Sequence, residues 1–413
     1  MKIHKNLLAS LIPESGSMPG GASSEETGSR VKSKTKRVAI VVKCVPPYRF
    51  PIFKALVKSA PFKPRFFANM PWDWSVPNVR QTLDIIKPPA ITITGNTRHK
   101  QVGVKQQEPV TIPVLLPLSL LVYRPKLIIS GNMGPVSLIS VIVAKLLRCP
   151  FVLWTEEIAS TAGEISRLQK ILRAVILPRT SAFLAWGQPA VDFIVSQGFD
   201  KEKVHYCAQA VDNDWWIEQS ARVDRDGIRE RLGLRGRTFL LIGQLISRKG
   251  FDKAMQAWAR LERPLQEQNS LLIVGAGEDD EKLKQLAREL DIPNIIFAGG
   301  KAHHELPEMY AAADVHVFPS LVDVWGMVVN EAMACGKPVL ASKYAGASQE
   351  LISNDGRYGE LIDPLDIDSM TTALRRWIER EQLPSPTSLQ QRIQKVNFDV
   401  SVKAFEAVVE QLT

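Results

Sequence analysis

The chain holds only four cysteines, Cys44, Cys149, Cys207 and Cys335, with no CxxC pair and no short Cys/His spacing among them. That scarcity excludes a disulfide framework and a zinc site and implies a reducing, cytoplasmic setting. Long apolar runs are missing too. The longest, IPVLLPLSLLVY at Ile112–Tyr123, stops after twelve residues and contains two prolines, whereas a membrane-spanning helix requires roughly 20 apolar residues. It is expected to pack inside a domain. The LLASLI stretch near the start is shorter than a signal-peptide core, so residues 1–36, rich in Ser, Gly and Lys, read as a disordered leader with no export implied. No helix-turn-helix or RNA-binding motif accompanies the basic charge, which removes nucleic acid from the expected partners.

What is present is length and rhythm. At 413 residues, 45% hydrophobic and 23% charged, the chain is long enough for two domains. Residues 1–210 carry 28 Lys and Arg against 12 Asp and Glu, a net +16, while 211–413 carry 24 against 31, a net −7. A basic half fits an anionic lipid surface or a phosphorylated substrate. From Arg37 onward short β-rich runs alternate with helix-period segments: RVAIVVKCV with FPIFKALVKS, KLIIS with PVSLISVIVAKLLR, PFVLW with EISRLQKILRAVIL. That alternation is the signature of parallel βαβ units. It breaks in the polar stretch Gln209–Gly227 and resumes from RTFLLIG to KPVLAS. The expected architecture is α/β, with Rossmann-like domains at 37–210 and 211–390 and a last helix within 391–413 that can return to the first domain.

Open α/β sheets bind ligands at the carboxyl ends of their strands, so two facing halves create one interdomain cleft. After RTFLLIG come Gln244, Arg248 and Lys249, then Gly250 at the start of a helix. Adjacent cations and free helix N–H groups suit a phosphate; a solvated basic turn has the same composition. After SLLIVG, Gly275 and Gly277 permit close backbone approach, without the third glycine of a dinucleotide fingerprint. The stretch VDVWGMVVNEAMACGKPVLAS puts Asp323 ahead of a helix that Gly326 opens and Gly336 ends, with Glu331 inside it. A carboxylate within so apolar a helix needs a partner, which sugar hydroxyls or a nearby cation would supply. The triplets Asp212–Asp214 and Asp366–Asp368 read as structural, so no metal is expected.

The order of these segments, followed by AGASQELI at Ala345–Ile352, resembles the retaining nucleotide-sugar glycosyltransferases of the GT-B fold, glycosyltransferase family 4, most clearly across Thr238–Pro364. The resemblance implies that Glu331 holds ribose hydroxyls, that Asp323 with the backbone of Gly326 and Met327 contacts the donor sugar, that Lys249 binds the diphosphate and that Gly346 belongs to the donor segment. Gln244 stands where the family has an arginine, so Arg248 is expected to carry that charge. In the first half PPYRFP replaces the family's glycine-rich loop, and Glu156 and Glu157 replace its histidine. Tyr48, Arg49 and Glu157 are candidate acceptor contacts. Glu156 is a candidate base or acceptor-orienting group, or else an ion-pair partner of Arg167.

The implied activity is hexose transfer from a nucleotide diphosphate sugar, a co-substrate rather than a cofactor, to a glycan or lipid-linked acceptor. The resemblance implies retention of configuration, and Lys249, Arg248 and helix N–H groups would stabilise the leaving phosphate without a metal. Two other readings compete. A GT-B epimerase is disfavoured by the DVWGMVVNEAMACGKP wording. A catalytically inactive GT-B subunit that binds nucleotide sugar and regulates or scaffolds a partner is favoured by the lost glycine-rich loop and histidine. Ser166–Arg179 has an apolar face opposite Arg167, Lys170 and Arg173; it fits the core side of a Rossmann helix or, with the basic half, peripheral contact with the anionic inner face of a membrane. His303 and His304 are expected to face solvent at a helix start.

Overall fold

The computed structural model describes residues 36–68, 79–99, 104–131, 133–162, 167–352 and 355–413. The expected leader therefore lies outside the described residues, apart from Lys36. The first half supplies strands β1 (Lys36–Val42), β2 (Phe62–Ala68), β3 (Ile85–Ile86), β4 (Ile91–His99), β5 (Val104–Ile112), β6 (Leu127–Gly131), β7 (Phe151–Thr155), β8 (Ala182–Trp186) and β9 (Val204–Cys207). Seven of them form a parallel sheet in the order β3-β2-β1-β6-β7-β8-β9. The second half supplies β10 (Thr238–Ile242), β11 (Ser270–Val274), β12 (Ile295–Phe297), β13 (Val315–Phe318), β14 (Val339–Ser342) and β15 (Gly359–Ile362), a parallel sheet in the order β12-β11-β10-β13-β14-β15. The strands are continuous apolar runs because helices cover both faces of each sheet; every residue of β10 is buried. β4 and β5 pair as an antiparallel hairpin with Ile91 opposite Ile112, an insertion that the strand–helix rhythm does not anticipate.

In the first domain the helices Phe50–Ser59 and Phe398–Leu412 cover one sheet face, and Leu116–Tyr123, Pro135–Leu147 and Arg167–Ile176 cover the other. The last helix of the chain thus packs on the first sheet: Phe405 and Val408 lie in its core, Gln411 Oε1 is 2.8 Å from His205 Nε2, and the Ser401 hydroxyl donates to the Ala208 carbonyl at 2.9 Å. The preceding helix, Pro386–Ile393, instead contributes Leu389 and Ile393 to the second domain's core.

The crossing segment is helical. Asn213–Ala221 and Arg225–Leu232 each begin at an aspartate: Asp212 accepts from the Trp215 N–H and Asp224 from the Gly227 N–H, both at 3.1 Å. Asp366 caps Ile367–Glu379 in the same way, accepting from the Ser369 N–H at 2.9 Å. Both aspartate triplets are therefore helix starts, and among the described residues no group of three His, Cys, Asp or Glu converges on a point. Two expectations need correction. Ile112–Tyr123 does not vanish into a core, because its prolines confine it to an eight-residue helix that buries Leu116, Leu120 and Tyr123 and leaves Leu118, Leu121 and Val122 outside. His303 does not stand in solvent, since it stacks on Trp215 with ring centroids 4.6 Å apart, and burial lowers its pKa.

Candidate active site in the interdomain cleft

In the second sheet the strand order reverses between β10 and β13, which leaves a crevice at their carboxyl ends. The loops leaving these two strands carry the expected donor residues, and the backbone locks them together. Leu321 N–H donates to the Arg248 carbonyl at 2.8 Å, and the Ser320 hydroxyl reaches the same oxygen at 3.3 Å. Gly250 is required at this seam: its φ is +67°, and a Cβ would stand 2.2 Å from the Pro319 carbonyl oxygen. Lys249 Nζ consequently lies 2.5 Å from Asp323 Oδ2, with Arg248 Nη1 3.8 Å from the same oxygen and 3.1 Å from the Val322 carbonyl it donates to. All three side chains are partly buried. Two cations share one carboxylate, so the cluster keeps one net positive charge, which suits an anion. Gln244 is exposed beside it.

Asp323 ends its loop at the opening of Met327–Ala334. Gly326, with φ +101°, precedes this helix, no side chain caps it, and a Cβ on Gly326 would stand 2.5 Å from the Phe318 ring. The first N–H groups of the helix are thus free to meet a hydroxyl or an anion. Trp325 anchors the loop: its backbone N–H donates to Asp323 Oδ1 at 3.3 Å, and its indole N–H donates to Asn330 Oδ1 at 2.8 Å. Asn330 in turn donates to the Gln209 carbonyl at 2.8 Å, so the buried tryptophan is tied to the domain crossing. One turn further in, Glu331 accepts from the Tyr310 hydroxyl at 2.9 Å. Among the described residues no cation pairs with this carboxylate, and burial raises its pKa to about 7 against the partial relief of that one hydrogen bond.

The three expected donor glycines each sit against a neighbouring loop. A Cβ on Gly275 would stand 1.9 Å from the Gly243 carbonyl oxygen and one on Gly277 2.2 Å from that of Leu245, so both positions need glycine to admit the neighbouring loop. Gly346 backs the Asp323 loop, with Val324 O and the Trp325 ring filling the space over it. Nearby Glu350 joins the two domains: Oε2 accepts from the Gln188 N–H at 2.5 Å, at a helix start, and Oε1 from the Tyr206 hydroxyl at 2.6 Å.

Across the cleft the first domain presents Tyr48, Arg49 and Glu156. Arg49 is only 1% exposed, which corrects its expected role as a surface acceptor contact. Its guanidinium lies 3.3 Å from the centroid of the Trp186 ring, and Nη2 donates to Glu156 Oε1 at 2.8 Å and Gln209 Oε1 at 2.6 Å. Glu156 therefore pairs with Arg49 and not with Arg167. The Trp154 indole N–H meets the same oxygen, Oε1, at 3.3 Å. Glu157 points elsewhere, to an ion pair with Arg173, and burial raises its pKa; the expected acceptor contact is not available while that pair holds. Tyr48 remains open at the cleft. Burial first, then the carboxylates of Glu156 and, from the second domain, Asp323, push its phenol up to about 12. Tyr310, Asn330 and the Arg49–Glu156 pairing are absent from the sequence-derived set; a polar Asn330 beside Glu331 in an apolar helix was the one available signal.

The profile of the family described as "Glycosyl transferases group 1" matches residues 224–396, the stretch containing every donor-side residue above. Residues 224–396 belong to that family. Over 159 residues the chain is 35% identical to a GDP-mannose-dependent alpha-(1-6)-phosphatidylinositol monomannoside mannosyltransferase of Mycolicibacterium smegmatis, an alignment covering 36% of this chain and 41% of that protein. It is 26% identical over 230 residues to a mannosylfructose-phosphate synthase of Agrobacterium fabrum, covering 53% and 50%. The chain thus aligns with about half or less of the length of these relatives. In three dimensions it is similar to Anabaena HepE, solved in complex with UDP, with a TM-score of 0.71 at 18% identity over 91% of this chain and all of that one. The chain accordingly has the two-domain GT-B fold.

Proposed function

We propose that the chain is a retaining glycosyltransferase that moves a hexose from a nucleotide diphosphate sugar to a glycan or lipid-linked acceptor. The observation carrying this reading is the convergence of Lys249, Arg248 and Asp323 in the loops after β10 and β13, with Glu331 on the helix that follows and Tyr48 of the first domain interacting with both Asp323 and Glu156. Relatives named as mannosyltransferases and glycosyltransferases support a sugar donor. In this reading the diphosphate displaces part of the Asp323 ion pair, Lys249 and Arg248 take the charge that develops as the sugar–phosphate bond breaks, and the departing phosphate receives the acceptor proton on the same face of the sugar. The chemistry then needs no metal. Glu331 receives the ribose hydroxyls. Asp323, relieved of Lys249, orients the donor sugar with the N–H groups at Gly326 and Met327.

Glu156 is the acceptor-side carboxylate in this scheme. Arg49 and Trp154 both donate to Oε1, which leaves Oε2 to orient the acceptor hydroxyl. Glu156→Gln is expected to lower transfer at least tenfold, within the range of a lost acid–base or orienting contact, while release of nucleoside diphosphate by donor hydrolysis continues. Equal loss of both would remove the acceptor-side assignment.

Asp323 carries a second expectation. A glutamate there lengthens the arm by about 1.5 Å, one carbon–carbon bond, against a Lys249 contact of only 2.5 Å. Asp323→Glu should therefore lower transfer by about a hundredfold through misalignment, with nucleoside diphosphate affinity changing far less. Wild-type rates in both Asp323→Glu and Asp323→Ala would show that the donor sugar is held by backbone groups alone.

The experiment that tests the function is a panel of nucleotide sugars, scored first by thermal stabilisation and then by release of free nucleoside diphosphate. Stabilisation with no release from any donor, in any acceptor mixture, supports the inactive binding subunit instead.

A further inference from the structure

Three helices lie side by side on one face of the first sheet: Leu116–Tyr123, Pro135–Leu147 and Arg167–Ile176. Their inner sides form an ordinary core, with Leu120, Val141, Ala144, Leu172 and Ile176 buried against the strands. Their outer sides are not the polar surface such a layer normally shows. On the first, Leu118 and Val122 face out, Val122 with 75% of its surface open; on the second, Ile142 and Leu146; on the third, Leu168 at 64% and Ile171 at 61%. Isolated exposed apolar residues need no explanation, but six of them on the outer sides of three adjoining helices mark an interaction surface.

The charge around this patch says what it meets. Across the three helices there is no aspartate or glutamate, while Lys145, Arg167, Lys170 and Arg173 are present. Arg173 is occupied by Glu157, but Lys145, Arg167 and Lys170 are exposed, and the first two helices end at the exposed Arg124 and Arg148. Beside Lys145 a cavity of about 510 Å³ runs between the second helix and the turn Leu177–Arg179, lined by Lys145 and Arg179 over an apolar floor of Val141, Ala144 and Phe151. Apolar side chains with a cationic rim and no carboxylate complement an anionic bilayer surface: the aliphatic groups enter the acyl boundary and the cations meet headgroup phosphates. No helix among the described residues is long and apolar enough to cross a membrane, so the contact is interfacial.

We infer that this three-helix face docks the protein on an anionic lipid bilayer. The inference does not depend on the reaction proposed above, and its test reads binding alone. The full chain is sedimented with vesicles of pure phosphatidylcholine and with vesicles containing about a third phosphatidylglycerol, at low and high salt. Binding to the anionic vesicles only, weakened by salt because exposed charges are screened, is the expected result. Val122→Ser combined with Leu168→Ser should reduce the bound fraction at least about fivefold, and Arg167→Glu combined with Lys170→Glu should abolish the preference for anionic lipid. All four side chains are exposed, so the melting curve and nucleotide-sugar binding should not move. Failure to bind either vesicle, or equal binding to both, overturns the inference. So does a concentration-dependent dimer, seen by analytical ultracentrifugation, that the serine pair dissociates, because the face would then belong to a second copy of the chain.

Discussion

Lys249→Ala is expected to reduce donor turnover by about 10²–10³-fold, the loss that follows removal of one preorganised group at the site of developing charge. The fold should survive. The loop that carries Lys249 is held by the backbone hydrogen bond from Leu321 and by the Gly250 turn, and Asp323 keeps Arg248 as a neighbour 3.8 Å away. Arg248→Ala should cost less than Lys249→Ala and more than Gln244→Ala, since Arg248 faces the Asp323 cluster while Gln244 is exposed. The measurement is nucleoside diphosphate release at saturating donor, with circular dichroism melts as the control for folding. A folded Lys249→Ala protein with undiminished turnover would show that the leaving group is stabilised elsewhere.

Glu331→Gln should weaken nucleotide binding by about ten- to a hundredfold, because charge-assisted hydrogen bonds from hydroxyls to a carboxylate are about twice as strong as neutral ones. The same substitution should make the unliganded protein more stable at pH 8. Burial raises the Glu331 pKa to about 7 from the ordinary 4.5. The folded state therefore holds this proton to higher pH than the unfolded chain does. Its contribution is fully favourable below the unfolded value and is lost as pH rises from about 4.5 through 7, leaving the ionised group as a penalty on the order of 3 kcal/mol above it. Glutamine removes that penalty. Binding follows the opposite sense in the wild type: the hydroxyls need the ionised carboxylate, so affinity should fall as pH drops below about 7, and in Glu331→Gln this dependence should flatten. A mutant that binds as tightly as the wild type with an unchanged pH profile would place the ribose somewhere else.

The meeting of Lys249 and Asp323 was legible because both follow a strand closely. Lys249 lies seven positions after the end of β10 and Asp323 five after β13, and adjacent parallel strands bring such loops together whatever the rest of the chain does. The acceptor half was not. Arg49 and Glu156 are 107 residues apart and meet only because β1 and β7 flank β6; nothing local in PPYRFP distinguishes an arginine stacked on Trp186 from one in solvent. Gly275, Gly277 and Gly346 each also pack against a neighbouring loop, a reason for glycine that the sequence alone does not separate from room for a ligand. The run Ile112–Tyr123 was misplaced for a related reason: apolar content announces contact with something apolar, and a short run cannot say whether that partner is a core or the outer surface described above.

The central claim is that the Lys249–Asp323–Glu331 site breaks a sugar–diphosphate bond and delivers the sugar with its configuration retained. The most direct measurement is proton NMR of the wild-type protein with the nucleotide α-hexose that stabilises it best, water serving as acceptor, recorded faster than the free sugar mutarotates. The account predicts that nucleoside diphosphate and α-hexose appear together at the start of the reaction. First appearance of the β-anomer would contradict retention, and a donor that binds and stabilises the protein yet stays intact would contradict catalysis itself.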